Sequence, residues 1–221
     1  MESVQAADEG TLFWFENHHS TVGDTLMKLC THLGDRVTVI AVIAAALILF
    51  LLAGRRRTAL VMLLASLLGL GISQSVKYVV NRERPDVAWK LIERPKTPSF
   101  PSGHALNSMA VYGSLALLAA RHLRRRFWAG LILVLGFILP VAIGASRPYL
   151  GVHYPSDVLA GWTAGLACAL LALWADQRWG DRQRFAPSVT PPAAPQSLPS
   201  STAGSEGIRA AGEVSGIRGP T

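Results

Sequence analysis

Two long apolar runs are separated by Ser146-Arg147-Pro148-Tyr149-Leu150-Gly151-Val152-His153-Tyr154-Pro155-Ser156-Asp157. His153 and Asp157 stand four residues apart. With a helix starting near Pro155, that spacing lets the carboxylate reach one imidazole nitrogen and fix the tautomer. The other nitrogen is then free and more basic, as a nucleophile or a general base requires. Arg147 adds a planar fork of donors that matches phosphate oxygens. The same charges would also suit a loop that merely marks a membrane boundary, and this stretch alone does not decide between the two.

Two further polar blocks bear on that choice. The first is Lys77-Tyr78-Val79-Val80-Asn81-Arg82-Glu83-Arg84-Pro85. Lys77 and Arg84 are seven residues apart, close to two helical turns, so they share a face. Pro85 disfavours helix at Arg84 and ends the segment there. Arg82, and less readily the deeper Lys77, would also serve as interfacial cations reaching for headgroups. The second block is Pro101-Ser102-Gly103-His104, directly before an apolar run. Proline suits a first helical position. The N–H groups of Ser102, Gly103 and His104 would then point out of a helix start, which is an anion site. Gly103 would let the anion approach the backbone. Alone, this block is an ordinary helix cap. Together, the three blocks put Lys77, Arg84, Arg147 and two histidines around one helix N-terminus. That donor set suits a tetrahedral, multiply charged anion.

The elements that must position these groups are apolar. Hydrophobic residues make up 50% of the 221 and charged residues 16%, against a charged share of about 25% in soluble domains. Mean hydropathy is +0.32, and the chain reads as an all-α, polytopic membrane bundle. Runs at 37–53, 58–80, 105–120, 127–145 and 158–174 are read as five spans, each rising ~1.5 Å per residue. Segment 12–33 mixes Phe13, Trp14, Phe15, Leu26 and Met27 with polar residues. It is expected to lie at the interface as an amphipathic helix, broken near 20–23. No basic start precedes it, so no cleaved signal peptide is expected. Loop 81–102 holds Pro85, Pro95, Pro98 and Pro101, leaving room for one short helix around 87–92. Segment 185–221, rich in Pro, Ala, Ser, Gly and Thr, is expected to be a disordered tail.

Charge sets the topology. The net charge is +7, and much of the basicity clusters beside apolar runs. Arg55, Arg56, Arg57 and the arginines of 121–126 fall on one side of the five-span arrangement, which the positive-inside rule makes cytoplasmic. The three polar blocks then fall on the outer side. No aromatic-basic module is present, so nucleic acid is excluded as a partner. His18, His19 and His32 lack the companions of a metal site and read as solvated. Cys30 and Cys168 have neither metal spacing nor a disulfide pattern and read as buried free thiols.

Lys77 with Arg84-Pro85, then Pro101-Ser102-Gly103-His104, then Ser146-Arg147 with His153 and Asp157, resemble the three signature blocks of the type 2 phosphatidic acid phosphatase (PAP2) superfamily. The resemblance covers about half the chain, from the second apolar run to the fifth. Segment 12–35 also looks like the N-terminal part of bacterial members. The chain is expected to divide into three segments: 1–36 interfacial, 37–184 a transmembrane domain that resembles this phosphatase family, and 185–221 the tail, which has no counterpart there. The resemblance implies a helical core shared with vanadium haloperoxidases, and metal-independent hydrolysis of membrane lipid phosphates or diphosphates, with no cofactor. Its implied roles are His153 as nucleophile, Asp157 orienting it, and His104 as acid and base. Lys77, Arg84, Ser102, Gly103 and Arg147 would hold the phosphoryl oxygens, and no residue would bind a metal. Undecaprenyl diphosphate is the leading substrate, and phosphatidic acid or phosphatidylglycerol phosphate the alternative. A bacterial inner membrane, with the site facing the periplasm, is the expected location. The rival readings are a vanadate-dependent haloperoxidase and a non-enzymatic anion carrier. The apolar spans count against the first, and an oriented histidine, which permeation does not need, against the second.

Overall fold

Each of the five apolar runs folds as a helix, and two more helices precede them. The computed structural model describes residues 2–184. Among the described residues the elements are α1 (Glu2–Glu16), α2 (Thr21–His32), α3 (Arg36–Leu52), α4 (Arg56–Val80), α5 (Gly103–Ala120), α6 (Arg126–Tyr149) and α7 (Pro155–Arg184), with no strand. The all-α expectation holds. The tail at 185–221 lies outside the described residues.

By length and apolar content α4, α6 and α7 can each cross a membrane; α2 and α3, bent by 51°, make a fourth if taken as one broken span. Leu49, Leu52, Leu64, Leu67, Leu135, Ile138 and Leu171 are exposed. Such a surface suits lipid, in which helices satisfy their own backbone polar groups. This is a membrane protein. Helix α5 is surrounded by protein: Leu106, Ser108, Ala110, Val111, Ser114 and Leu118 are all buried. It runs antiparallel to α4 through the same depth. A methyl group added at Gly103 would lie 3.3 Å from Ser73 Oγ and 3.8 Å from Lys77 Cε. Past the other end of α5, His122 meets Arg55 and Thr58.

The N-terminal segment differs from expectation. Helix α1 starts at Glu2 and takes in the acidic residues ahead of Leu12. The break falls at 17–20, because Ser20 caps α2 with its Oγ accepting from Gly23 N at 3.1 Å. No helix forms at 87–92. Leu91 N instead donates to Leu150 O, and Leu91 and Ile92 pack on Tyr149, Leu150 and Val152. Of the histidines read as solvated, His19 is half-buried against Tyr149 and Trp89. Cys168 is buried, whereas Cys30 is only partly so.

At the end of the bundle away from the three polar blocks, Asp176 of α7 is fully buried. It accepts from Thr58 Oγ1 at 3.0 Å, from Arg57 Nε at 3.3 Å, and from Arg121. Arg57 and Arg121 were read from sequence as topology markers; they also tie α4 and the end of α5 to α7. Asp176→Asn removes the charge both arginines face. Breaking a fully buried pair costs ~3–5 kcal/mol, and the partial exposure of these arginines reduces that to about 2 kcal/mol. The variant should unfold at a lower temperature in detergent with its activity per folded molecule unchanged. An unaltered midpoint would remove Asp176 from the list of stabilising contacts.

Candidate active site

Small residues bring the three blocks together. Gly161, Gly165 and Ala169 lie one turn apart on α7 and face α5. A methyl group at Gly161 would sit 2.8 Å from Ser102 O and 2.9 Å from Ala105 Cβ. Gly113 of α5 meets Ala169 in the same seam. The first turns of α5 and α7 are therefore in contact, and Ser102 N donates to Asp157 O at 3.0 Å. That bond takes one of the three N–H groups expected to point outward, leaving those of Gly103 and His104.

His153 enters from the turn between α6 and α7. Gly151 makes that turn with φ +74, where a methyl group would press on Val87 and the backbone of Lys90. His153 is 2% exposed. Its Nδ1 lies 3.4 Å from Asp157 Oδ2 and 3.3 Å from Ser99 Oγ. Ser99 Oγ donates to Asp157 Oδ2 at 2.5 Å. Spacing alone put the carboxylate directly on the imidazole; the direct contact is long, and Ser99 completes it. The Nε2 accepts from Arg84 Nη1 at 2.9 Å. These partners fix one tautomer, with the proton on Nδ1 and the Nε2 lone pair free for chemistry. Burial drives the His153 pKa down to about 3, and the charges of Arg84 and Arg147 push the same way against Asp157. The imidazole is neutral at physiological pH, as a nucleophile must be.

The cations converge on the same spot. Lys77 Nζ donates to Pro98 O at 2.7 Å, and Arg84 Nη2 reaches that oxygen at 3.3 Å. Arg84 also donates to Thr97 O and to Val152 O. Burial lowers the Arg84 pKa to about 10, which leaves it charged at neutral pH. Arg147 is 3% exposed; its Nη1 donates to Thr31 Oγ1 at 2.5 Å and its Nε meets no protein partner. Ser102 Oγ and Ser73 Oγ are likewise buried without a partner. His104 Nε2 lies 3.0 Å from Asp35 Oδ1. Every candidate residue from the three blocks thus sits at one end of the bundle. Lys77, Arg84, Ser102, His153 and Asp157 are linked by direct contacts or a shared partner, while Arg147 and His104 engage the N-terminal segment.

Sequence reasoning missed several participants. Ser99 stands two residues before Pro101 in the same loop, but a lone loop serine gives no signal. Arg82 was weighed as an interfacial cation; its side chain instead donates to Asp157 Oδ1 at 2.7 Å and Asp8 Oδ2 at 2.9 Å. Burial works against its charge, and the bonds to Asp8 and Asp157 more than offset this, raising its pKa above the ordinary value. Asp8, Thr31 and Asp35 belong to the segment read as a surface helix.

A family model described as the PAP2 superfamily matches residues 58–181. Phosphatidylglycerophosphatase B of Bacillus subtilis is 33% identical over 108 residues, covering 48% of this chain and 52% of that one. The Escherichia coli protein described as putative undecaprenyl-diphosphatase YbjG is 30% identical over 141 residues, 62% of this chain and 67% of that one. The matches therefore span about half to two thirds of these relatives. Among solved structures, a transmembrane PAP2 type phosphatidylglycerolphosphate phosphatase from B. subtilis superposes with a TM-score of 0.74 at 27% identity, over 85% of this chain and 90% of that one.

Proposed function

Because the chain belongs to the PAP2 superfamily, we propose that it is a membrane lipid phosphatase acting through a phosphohistidine at His153. The observation that carries this reading is the contact of Arg84 Nη1 with His153 Nε2 at 2.9 Å. A phosphate-binding cation and a neutral nucleophilic nitrogen occupy one spot, where a phosphoryl group would come between them. His153 Nε2 attacks phosphorus while Lys77, Arg84 and Arg147 neutralise the equatorial oxygens with the N–H groups of Gly103 and His104 and the Ser102 hydroxyl. His104 protonates the leaving oxygen and then takes a proton from the water that releases phosphate. The donors are cations and amides, and Asp157 and Asp8 are already engaged by Arg82 and Ser156. That set fits a phosphate and leaves no open carboxylate pair for a divalent ion.

Undecaprenyl diphosphate is the leading substrate, supported by the name of the E. coli relative. Phosphatidylglycerol phosphate is the second, supported by the names of the B. subtilis relative and of the B. subtilis solved structure. Phosphate release from a panel of these lipids and phosphatidic acid, by purified protein with and without EDTA, tests the reading. Release should be unaffected by EDTA, and kcat/KM should be highest for undecaprenyl diphosphate. Loss of activity in EDTA, restored by Mg²⁺ or Mn²⁺, would contradict the metal-free chemistry. No release from any lipid would return the haloperoxidase and carrier readings.

The membrane is proposed to be a bacterial plasma membrane with the site at its outer face. Arg56, Arg124 and Arg125 are exposed at the opposite end and suit a cytoplasmic leaflet. In a background lacking Cys30 and Cys168, a cysteine at Lys90, also exposed, should react with an impermeant maleimide in intact cells. One at Arg124 should react only after lysis. The reverse pattern would put the site in the cytoplasm and remove an outward-facing diphosphate carrier from first place.

A further inference from the structure

Asp35 is the N-cap residue of α3, yet its carboxylate makes no cap bond to that helix. An aspartate at this position normally accepts from the N–H two or three residues on. Here Oδ1 lies 3.0 Å from His104 Nε2 and Oδ2 lies 2.8 Å from His32 Nδ1. The three junction residues between α2 and α3 all meet α5. Tyr112 Oη donates to Leu33 O at 2.7 Å, two turns below His104. Gly34 lies against the imidazole, where an added methyl group would be 2.9 Å from His104 Cδ2. Asp35 then reaches the ring's Nε2. Close contact at Gly34, an anchoring bond at Leu33 and a carboxylate withheld from its own helix point to one purpose, which is to hold the His104 ring.

We infer that Asp35 is a positioning residue for His104, so that the site contains a second carboxylate–imidazole pair beside Asp157 and His153. The inference rests on the lipid-phosphatase reading. With Nε2–H bonded to Asp35, Nδ1 is the nitrogen left for proton transfer. In the first step the P–N bond to His153 Nε2 forms as the P–O bond to the lipid breaks, and the Nδ1 proton passes to the leaving oxygen. In the second step neutral Nδ1 takes a proton from water as its oxygen bonds phosphorus. The P–N bond then breaks and inorganic phosphate departs. Burial and the Arg147 charge push the His104 pKa down to about 4, and Asp35 opposes them, stabilising the imidazolium that the first step consumes and the second regenerates. The other charges facing this pair are His32 at the end of α2, Arg147 on α6 and Arg84 in loop 81–102. At 43% exposure the Asp35 side chain reaches water, which suits a group serving a hydrolytic step.

The test uses leaving groups of different basicity, because an alkoxide needs a proton and a nitrophenolate does not. Asp35→Asn should lower kcat/KM for phosphatidic acid by about 10- to 100-fold, while p-nitrophenyl phosphate loses little. The alkaline limb of the kcat/KM profile for phosphatidic acid, where His104 loses its proton, should shift to lower pH, since the imidazolium has lost its carboxylate. Asp35→Glu, which keeps the charge, should recover part of the loss, and Asp35→Ser, which keeps a capping side chain, serves where the asparagine variant does not fold. Equal losses on both substrates, or an unmoved pH profile with wild-type selectivity, would overturn the role of Asp35 alone. Failure of the wild-type protein to release phosphate from either compound and from undecaprenyl diphosphate would overturn the phosphatase reading, and this inference with it.

Discussion

Replacing His153 with alanine should cut phosphate release from lipid substrates by about a thousandfold or more, as removal of a covalent nucleophile does elsewhere. The expectation rests on Nε2, which carries its lone pair toward Arg84 in a site that other side chains close off. Alanine also has a structural cost. The ring is buried, so the substitution opens a cavity and leaves Arg84 Nη1 short of an acceptor. His153→Gln keeps an acceptor near Nε2 and is the cleaner variant: it should be equally inactive and should elute as a folded protein. Phosphoenzyme trapped by an alkaline detergent quench, which spares a P–N bond, should appear with wild type and be absent with both variants. Turnover by His153→Gln close to wild type would sink the nucleophile assignment. A pH signature accompanies the kinetic one. His153 titrates near its ordinary value of 6.5 when unfolded and at about 3 when folded. The unfolded chain therefore binds the extra proton between those values. The stability that this site contributes is complete above pH 6.5 and is lost as pH falls toward 3. His153→Gln lacks that group, so its unfolding midpoint should fall less steeply over the same range than that of wild type.

The candidate site residues were legible in the sequence because clustered donors stand out between apolar runs. Lys77, Arg84, Arg147, His104 and His153 could be named without coordinates, and the structure gathers all of them at one end of the bundle. Helix positions were legible for the same reason: lipid requires long apolar stretches, and α3 to α6 fall on them within a few residues, whereas α7 continues past 174 to Arg184. What stayed hidden were partners supplied at long sequence range. Ser99, Thr31, Asp8 and Asp35 are single polar residues in unremarkable surroundings, and nothing local marks them as facing an imidazole or a guanidinium. The segment 1–36 illustrates the limit. Its Phe13, Trp14 and Leu26 are exposed and fit an interfacial helix, but two polar residues of that same segment are turned inward. Asp8 is 3% exposed and Thr31 is 4% exposed. An amphipathic pattern reports that two faces differ and does not report which one meets protein. The helix expected at 87–92 failed for a related reason. Contacts with Leu150 and Val152 decide that segment's shape, and local propensity does not encode them.

Arg82→Ala should be the most damaging substitution outside the three signature blocks' own phosphate ligands, lowering kcat by about a hundredfold, the scale expected when a reacting group is displaced by about an ångström. Its two terminal nitrogens divide the work. Nη1 donates to Asp157 Oδ1 at 2.7 Å and Ser156 Oγ at 2.8 Å, and Nη2 donates to Asp8 Oδ2 at 2.9 Å and Gln5 Oε1 at 2.8 Å. The guanidinium also lies over the Tyr154 ring, with Cζ 4.1 Å from its centroid. Asp8 in turn accepts from Ser156 N at 2.9 Å. One side chain therefore couples α1, the first turn of α7 and the carboxylate that faces His153. Alanine would leave Asp8 and Asp157, both buried, without a counter-charge. Asp157 keeps Ser99 and the Tyr154 N–H, so the fold should survive while the carboxylate drifts relative to the imidazole. Lysine restores a charge but not a fork, and a single ammonium cannot serve both carboxylates, so Arg82→Lys should recover only part of the loss. Asp8→Asn should give a smaller defect of the same kind. Combined with Arg82→Ala it should add little, because the two changes remove one shared interaction. Rapid-quench measurement should put the loss on phosphoenzyme formation, with release of phosphate from the intermediate less affected. If Arg82→Ala turns over like wild type, or if its defect simply adds to that of Asp8→Asn, the coupling from α1 to His153 plays no part in catalysis.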